Sequence, residues 1–167
     1  MQIKICDILY TLEDKKESNQ NLLSTLFDIK RTQNSSLAFR SGCKSGVCGS
    51  CAVVVNGVER LACKTIIKDE DVITPLKNLV VIKDLIVDKN NQELSLVTAR
   101  ANLQEKSKTL VSSEDEKNID IESNCILCNS CFSACPVYTV NPNFIAPFAL
   151  MRNYRYVNDI KENEIQS

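Results

Sequence analysis

The chain has no histidine and no tryptophan, and only four glycines in 167 residues. Without histidine the commonest general base is missing, and with it the Ser–His and Cys–His nucleophile pairs. Histidine-ligated haem and Rieske-type ligation are excluded on the same ground. Gly42, Gly46, Gly49 and Gly57 form neither a dinucleotide fingerprint nor a phosphate loop. Charge of one sign is not in excess either. The 20 basic and 21 acidic residues leave a formal net charge of −1, which gives no basic footprint for nucleic acid or an anionic membrane surface. Long apolar runs are also missing. The best candidate, "FIAPFALM", is far shorter than the roughly 18 residues of a spanning helix and contains a proline. The start, "MQIKICDILYTLEDKK", lacks the basic, apolar and small-residue order of a secretory signal, so a cytoplasmic protein is expected.

What the chain does have is cysteine, nine residues of it. The cytosol keeps thiols reduced, so a disulfide framework is not expected. Cys43, Cys48, Cys51 and Cys63 form one group, Cys125, Cys128, Cys131 and Cys135 a second, and Cys6 stands alone. Two tight clusters read as two metal sites. The first has the spacing C-x4-C-x2-C with a fourth cysteine further on, the plant-type [2Fe–2S] pattern. A two-iron core needs four thiolates converging from several sides; a loop can wrap three around it and a hairpin can deliver the fourth. Gly42, Gly46 and Gly49 let that loop turn tightly and bring its N–H groups near the sulfurs. The second group, "CILCNSCFSACP", is C-x2-C-x2-C-x3-C-P, the bacterial-type [4Fe–4S] run, whose fourth cysteine normally ligates a different cluster. The competing reading at both groups is structural zinc. Four-cysteine zinc sites are usually built from paired C-x2-C knuckles, and the first group has only one such pair. Cys6 has no partner at motif spacing and reads as a small buried hydrophobe.

With 44% hydrophobic and 25% charged residues, the composition is that of one globular domain or two small ones. Residues 2–9 alternate as a half-buried strand should, and the polar run over 11–21 reads as a loop. Leu22, Leu26 and Ile29 share a helical face, with Leu23 and Phe27 alongside, which predicts a helix packed on a small sheet. "AVVVNGVERL" carries an Asn56-Gly57 hairpin turn, and "LVVIKDLIVD" supplies a further strand. A helix is expected over 91–104, with Leu94, Val97 and Ala101 on one face, and a charged, serine-bearing linker over 105–123. From Ser123 the cysteines fall at helical three-residue spacing, so the rest is read as small and helical. This places a first domain at 1–90, a helix and linker at 91–122, and a second region at 123–167.

A plant-type group followed by a bacterial-type group, with "CGSC", "LACKT", "DLIVD", "CILCNSCFSACP" and "NPNFIAPFAL" in order, resembles the iron–sulfur subunit of succinate dehydrogenase and fumarate reductase over essentially the whole chain. The resemblance implies an α+β chain: a ferredoxin-like β-grasp domain, then an incomplete α-helical ferredoxin-like domain. It implies a peripheral subunit on the inner face of the cell membrane, passing electrons between an FAD-containing flavoprotein and a quinone-reactive membrane anchor. It also implies that Cys43, Cys48, Cys51 and Cys63 hold [2Fe–2S], that Cys125, Cys128 and Cys131 supply three ligands of [4Fe–4S], and that Cys135 ligates a [3Fe–4S] cluster, with Pro136 near the quinone end. Succinate dehydrogenases of the family often carry tryptophan shortly after this Cys-Pro. Here "VYTVN" follows, which leans towards the fumarate reductase side.

Family members continue into a segment bearing further cluster cysteines, whereas no cysteine follows Cys135 here. By count one site has its four thiolates, the second lacks one and the third has one of three. A truncated or split subunit, or a two-cluster carrier in which Cys135 completes the [4Fe–4S] set, both accommodate this. A stand-alone ferredoxin-type carrier and a non-redox zinc module are the other readings. The residues show no constellation for abstracting a proton from carbon, so the chain is expected to be non-catalytic alone.

Overall fold

Ile3 and Ile5 are buried while Gln2 and Lys4 point outward, which makes Gln2–Ile5 a strand (β1) with one apolar face. In this computed structural model, which describes residues 1–12, 20–104, 106–141 and 143–162, the strand expected over 2–9 is instead a hairpin. The chain turns at Cys6 and Asp7 and returns as Ile8–Thr11 (β2), antiparallel to β1. The left-handed position of that turn, φ +52°, is taken by Cys6 rather than by the glycine or asparagine that would mark it in a sequence. The loop expected over 11–21 lies largely outside the described residues.

Leu22–Thr32 (α1) forms where the 3.6-residue periodicity predicts it. The Asn21 side chain accepts from the Ser24 N–H at its start, and Lys30 and Arg31 complement the helix dipole in its last turn. Ala52–Val55 (β3) and Val58–Leu61 (β4) flank the Asn56-Gly57 turn, whose two residues both adopt positive φ. Val72–Thr74 (β5) completes a five-stranded mixed sheet of order β2-β1-β5-β3-β4, parallel to β1 and antiparallel to β3. Ile3, Ile5, Val53, Val55 and Ile73 from the sheet meet Leu22, Leu26 and Ile29 of α1 in the main core. Each of these fully buried aliphatic side chains contributes ~1.5–3 kcal/mol. Alternate residues of β3, Ala52 and Val54, join a second cluster with Leu76 and Val87, so β3 is covered on both faces. The strand expected over 79–88 is also a small antiparallel pair, Val81–Lys83 (β6) and Ile86–Val87 (β7), turning at Asp84 with φ +47°.

The chain divides into two units, and the architecture is α+β. The first combines Met1–Asp88 with Ile126–Ala134, which brings Ser130–Ser133 (a single turn, α4) against the sheet unit. The three-residue cysteine spacing does not make a continuous helix: residues 125–129 are irregular, with Leu127 and Asn129 left-handed. The second unit contains Lys89–Cys125 and the chain from Cys135 onward. Its helices are Asn90–Thr98 (α2), Ser113–Ser123 (α3), Pro136–Val140 (α5) and Pro147–Val157 (α6). The helix expected over 91–104 ends at Thr98, and Leu94 and Val97 are exposed on it. α3 occupies what reads as a linker. Ser112 and Asp115 form a reciprocal capping box at its start, and three acidic residues fill its first turn.

Candidate metal centre

The loop between Ser41 and Cys51 is shaped by left-handed residues, Lys44 at φ +59°, Gly46 at +87° and Gly49 at +67°. These reversals turn backbone N–H groups onto sulfur. The N–H groups of Ser45 and Val47 each donate to Cys43 Sγ at 3.4 Å, and the Cys43 N–H donates to Cys48 Sγ at 3.4 Å. At the hairpin, the Cys63 N–H donates to Cys51 Sγ at 3.5 Å. Cys43 and Cys48 lie within hydrogen-bonding reach of each other, as do Cys51 and Cys63. The first pair is exposed and the second is buried.

The exposed pair differs from Cys51 in acid–base character. The Ser45 hydroxyl, followed by the Ser45 and Val47 N–H groups, holds the Cys43 thiol down at about 5. The Ser50 hydroxyl, followed by backbone donors, lowers Cys48. Burial raises Cys51. The serines recur in the sequence as Cys43-Lys44-Ser45 and Cys48-Gly49-Ser50, a Cys-x-Ser repeat that the motif reading passed over.

Among the described residues, no three Cys, Asp or Glu side chains converge on one point where a single metal ion would sit. The thiols are grouped two and two. A structural zinc needs four donors about one ion, whereas a two-iron core takes one pair at each iron. Thiolate character at the exposed pair and N–H donors aimed at sulfur also suit a cluster carrying negative charge. The donor set therefore fits a [2Fe–2S] cluster.

Of the second group, Cys128 and Cys131 belong to the first unit. Cys128 is half-buried and its thiol donates to Ser130 Oγ at 3.3 Å, while Cys131 is exposed on α4. Cys125 and Cys135 belong to the second unit. The Cys125 carbonyl accepts from Arg152 Nη2 at 2.9 Å, and Cys135 is buried at the N-cap of α5, followed by Pro136 in its first turn. Cys6 packs, half-buried, against the main core, and burial, then the charges of Asp84 and Asp7, raise its thiol. Among the described residues no cysteine is in a disulfide.

Residues 7–93 match the family model described as the 2Fe-2S iron-sulfur cluster binding domain. The chain belongs to that family. It is 35% identical over 153 residues to a mitochondrial succinate dehydrogenase [ubiquinone] iron-sulfur subunit of Oryza sativa, covering 84% of this chain and 49% of the relative. It is 34% identical over 150 residues to an uncharacterized iron-sulfur protein of Methanococcus maripaludis, covering 84% of this chain and 30% of the relative. It thus spans half or less of the length of these relatives. Among solved structures, a chain of the Mycobacterium smegmatis Sdh1 complex in the apo form superposes with a TM-score of 0.79 at 23% identity, over 97% of this chain and 76% of that one. This last likeness is one of fold. Among the described residues of this 2Fe-2S family member, no helix is long and apolar enough to cross a membrane.

Proposed function

We propose that the chain is an iron–sulfur electron-transfer subunit of the succinate dehydrogenase and fumarate reductase type. It moves single electrons between an FAD-containing flavoprotein and a quinone-reactive membrane anchor, and sits peripherally on the inner membrane face through those partners. In this reading Cys43, Cys48, Cys51 and Cys63 hold a [2Fe–2S] cluster. Cys125, Cys128 and Cys131 contribute to a [4Fe–4S] cluster, and Cys135 either completes that set or ligates a [3Fe–4S] cluster. Such clusters supply reversible one-electron chemistry when bound.

The observation that carries the reading is the pairing of the first four thiols, Cys43 with Cys48 and Cys51 with Cys63, under inward-facing N–H groups. The residues' own work is to hold thiolates, screen their charge with N–H and hydroxyl donors, and keep the second pair out of water. The named succinate dehydrogenase relative supports the choice of partners.

The test is iron and acid-labile sulfide per chain on protein purified without oxygen, with EPR of the reduced form. About six irons are expected, two and four from the two groups. Cys63→Ala should abolish the [2Fe–2S] signal and Cys128→Ala should reduce iron to about two per chain. Zinc in place of iron would overturn the electron-transfer reading.

A further inference from the structure

Ser133 is 2% exposed and carries two hydrogen bonds that tie α4 to the sheet unit. Its hydroxyl accepts from the Lys77 N–H at 2.8 Å and donates to Glu59 Oε1 on β4, also at 2.8 Å. Beside it, the Asn78 side-chain amide donates to the carbonyls of Phe132 and Ser133 at 3.1 and 3.2 Å. Asn78 stands at φ +60°, a left-handed turn that holds the amide at the end of α4. At the other end of the segment, the backbone of Gly49 lies directly on Cys128. A Cβ built on Gly49 would come within 2.8 Å of both Cys128 Cα and Cys128 Cβ, and within 2.9 Å of the Ile126 carbonyl oxygen. Gly49 itself lies between Cys48 and Cys51 of the first cysteine group.

The contact thus joins backbone of one cysteine group to a cysteine of the other, and the Ser133 and Asn78 bonds anchor the far end of the same short segment. Neither Ser133 nor Asn78 is a cysteine of the motif, and neither belongs to the apolar cores described above. Buried polar groups that bond across two segments cost stability when one partner is lost, so they specify one arrangement of the segments.

We propose that Ser133 is a positioning residue: its bonds to Glu59 and Lys77, seconded by Asn78, hold Cys128 against Gly49 and so fix the place of Cys128 relative to the first cysteine group. Were iron–sulfur clusters held by both groups, they would supply the one-electron chemistry, and the residues' part would be to keep Cys128 in place, with no bond made or broken by the chain. This rests on the reading that the second group holds an iron–sulfur cluster.

The test uses the full chain with Ser133→Ala and Asn78→Gly, the latter keeping the left-handed turn while removing the amide. In the metal-free protein, amide hydrogen exchange over residues 126–134 should quicken about tenfold in each variant, with the protection of α1 and β3 unchanged. In iron-loaded protein the fully reduced wild type should show a [2Fe–2S] EPR signal broadened by a nearby second paramagnet. Both variants should keep their iron content and lose that broadening. Unchanged exchange in both variants, or full iron with undiminished broadening, overturns the positioning role. A wild type with only about two irons refutes the reading of the second group instead, and the exchange result alone then decides whether Ser133 holds the segment.

Discussion

Gly49 and Gly57 both stand at positive φ, +67° and +82°, yet the space around them is different. A Cβ on Gly57 meets nothing within 4 Å, whereas one on Gly49 meets the Cys128 backbone and the Ile126 carbonyl. Either alanine carries the left-handed penalty of about 1–2 kcal/mol. Gly57→Ala should therefore lose about that much in a denaturant melt and keep its metal content unchanged. Gly49→Ala has the same strain and must also displace main chain. It should lose at least about twice as much stability, and iron from the second group before iron from the first. Equal losses in the two variants would contradict the close approach at Gly49. The same loop yields a pH prediction. The Ser45 hydroxyl is the largest cause of the lowered Cys43 thiol, about 5 against an ordinary 9.0. Donation to sulfur favours the thiolate, so between these values Cys43 is charged where an ordinary thiol is not. In metal-free protein, alkylation of Cys43 should rise with pH through an inflection near 5 and level off above it. Ser45→Ala removes the donor and should move that inflection upward, checked by mass-resolved alkylation across pH.

At the scale of elements, the β3–β4 hairpin is tied to the central strand by its own turn residue. Asn56 Nδ2 donates to Asp71 Oδ1 at 2.7 Å, while Asn56 Oδ1 accepts from the Val72 N–H at 2.8 Å. Asp71, 5% exposed, accepts also from the Lys68 N–H. Asp71→Ala leaves those donors to find other partners in a confined place and should cost about 1–3 kcal/mol in a urea melt. A change near zero would mean that water replaces the carboxylate without loss. The hairpin itself was legible, because Asn-Gly between β-branched runs leaves few alternatives. So was α1, from the spacing of Leu22, Leu26 and Ile29. β5 was not: three residues, "VIT", are too few to show a period, and the strand exists because β1 and β3 offer it partners on both sides. The turn at Cys6 was hidden for another reason, since left-handed backbone there falls on a residue that does not ordinarily mark it, while Asp84, an ordinary turn residue, stood without a glycine or proline inside an apolar run. α3 buries none of its residues, so periodicity had nothing to report; the Ser112–Asp115 capping pattern was its one visible signal, and it lay inside a charged run. Cysteine spacing named the thiols that the fold pairs at the candidate site, Cys43 with Cys48 and Cys51 with Cys63; for the second group it remains an expectation. The serine donors and the Ser133 bonds came only with the fold, because they join residues far apart in the chain.

At the scale of the whole molecule, the two units differ in what they bury. The first packs Ile3, Ile5, Leu22, Leu26, Ile29 and Ile73 at 1% exposure or less. In the second, α2 and α3 bury no residue, and Ala146, Phe148 and Ala149 are the buried apolar residues about the start of α6. Its cross-links are polar: Asn153 to the Ala99 carbonyl, Arg152 to the Cys125 carbonyl, and the Gln104 N–H to Glu162. A net hydrogen bond is worth only ~0.5–1.5 kcal/mol, less than one well-buried isoleucine. Local opening should therefore be uneven even though the chain is continuous. In metal-free protein, amides of α1, β1, β3 and β5 should exchange slowest, near the limit set by global unfolding. Those of α2 and α3 should exchange at least about a hundredfold faster. Iron loading should slow exchange around the first cysteine loop, where N–H groups already face sulfur, and leave α2 nearly unchanged. Uniform protection across both units would mean that the polar cross-links hold the helices as firmly as the core holds the sheet, and that burial is the wrong guide to where this chain opens.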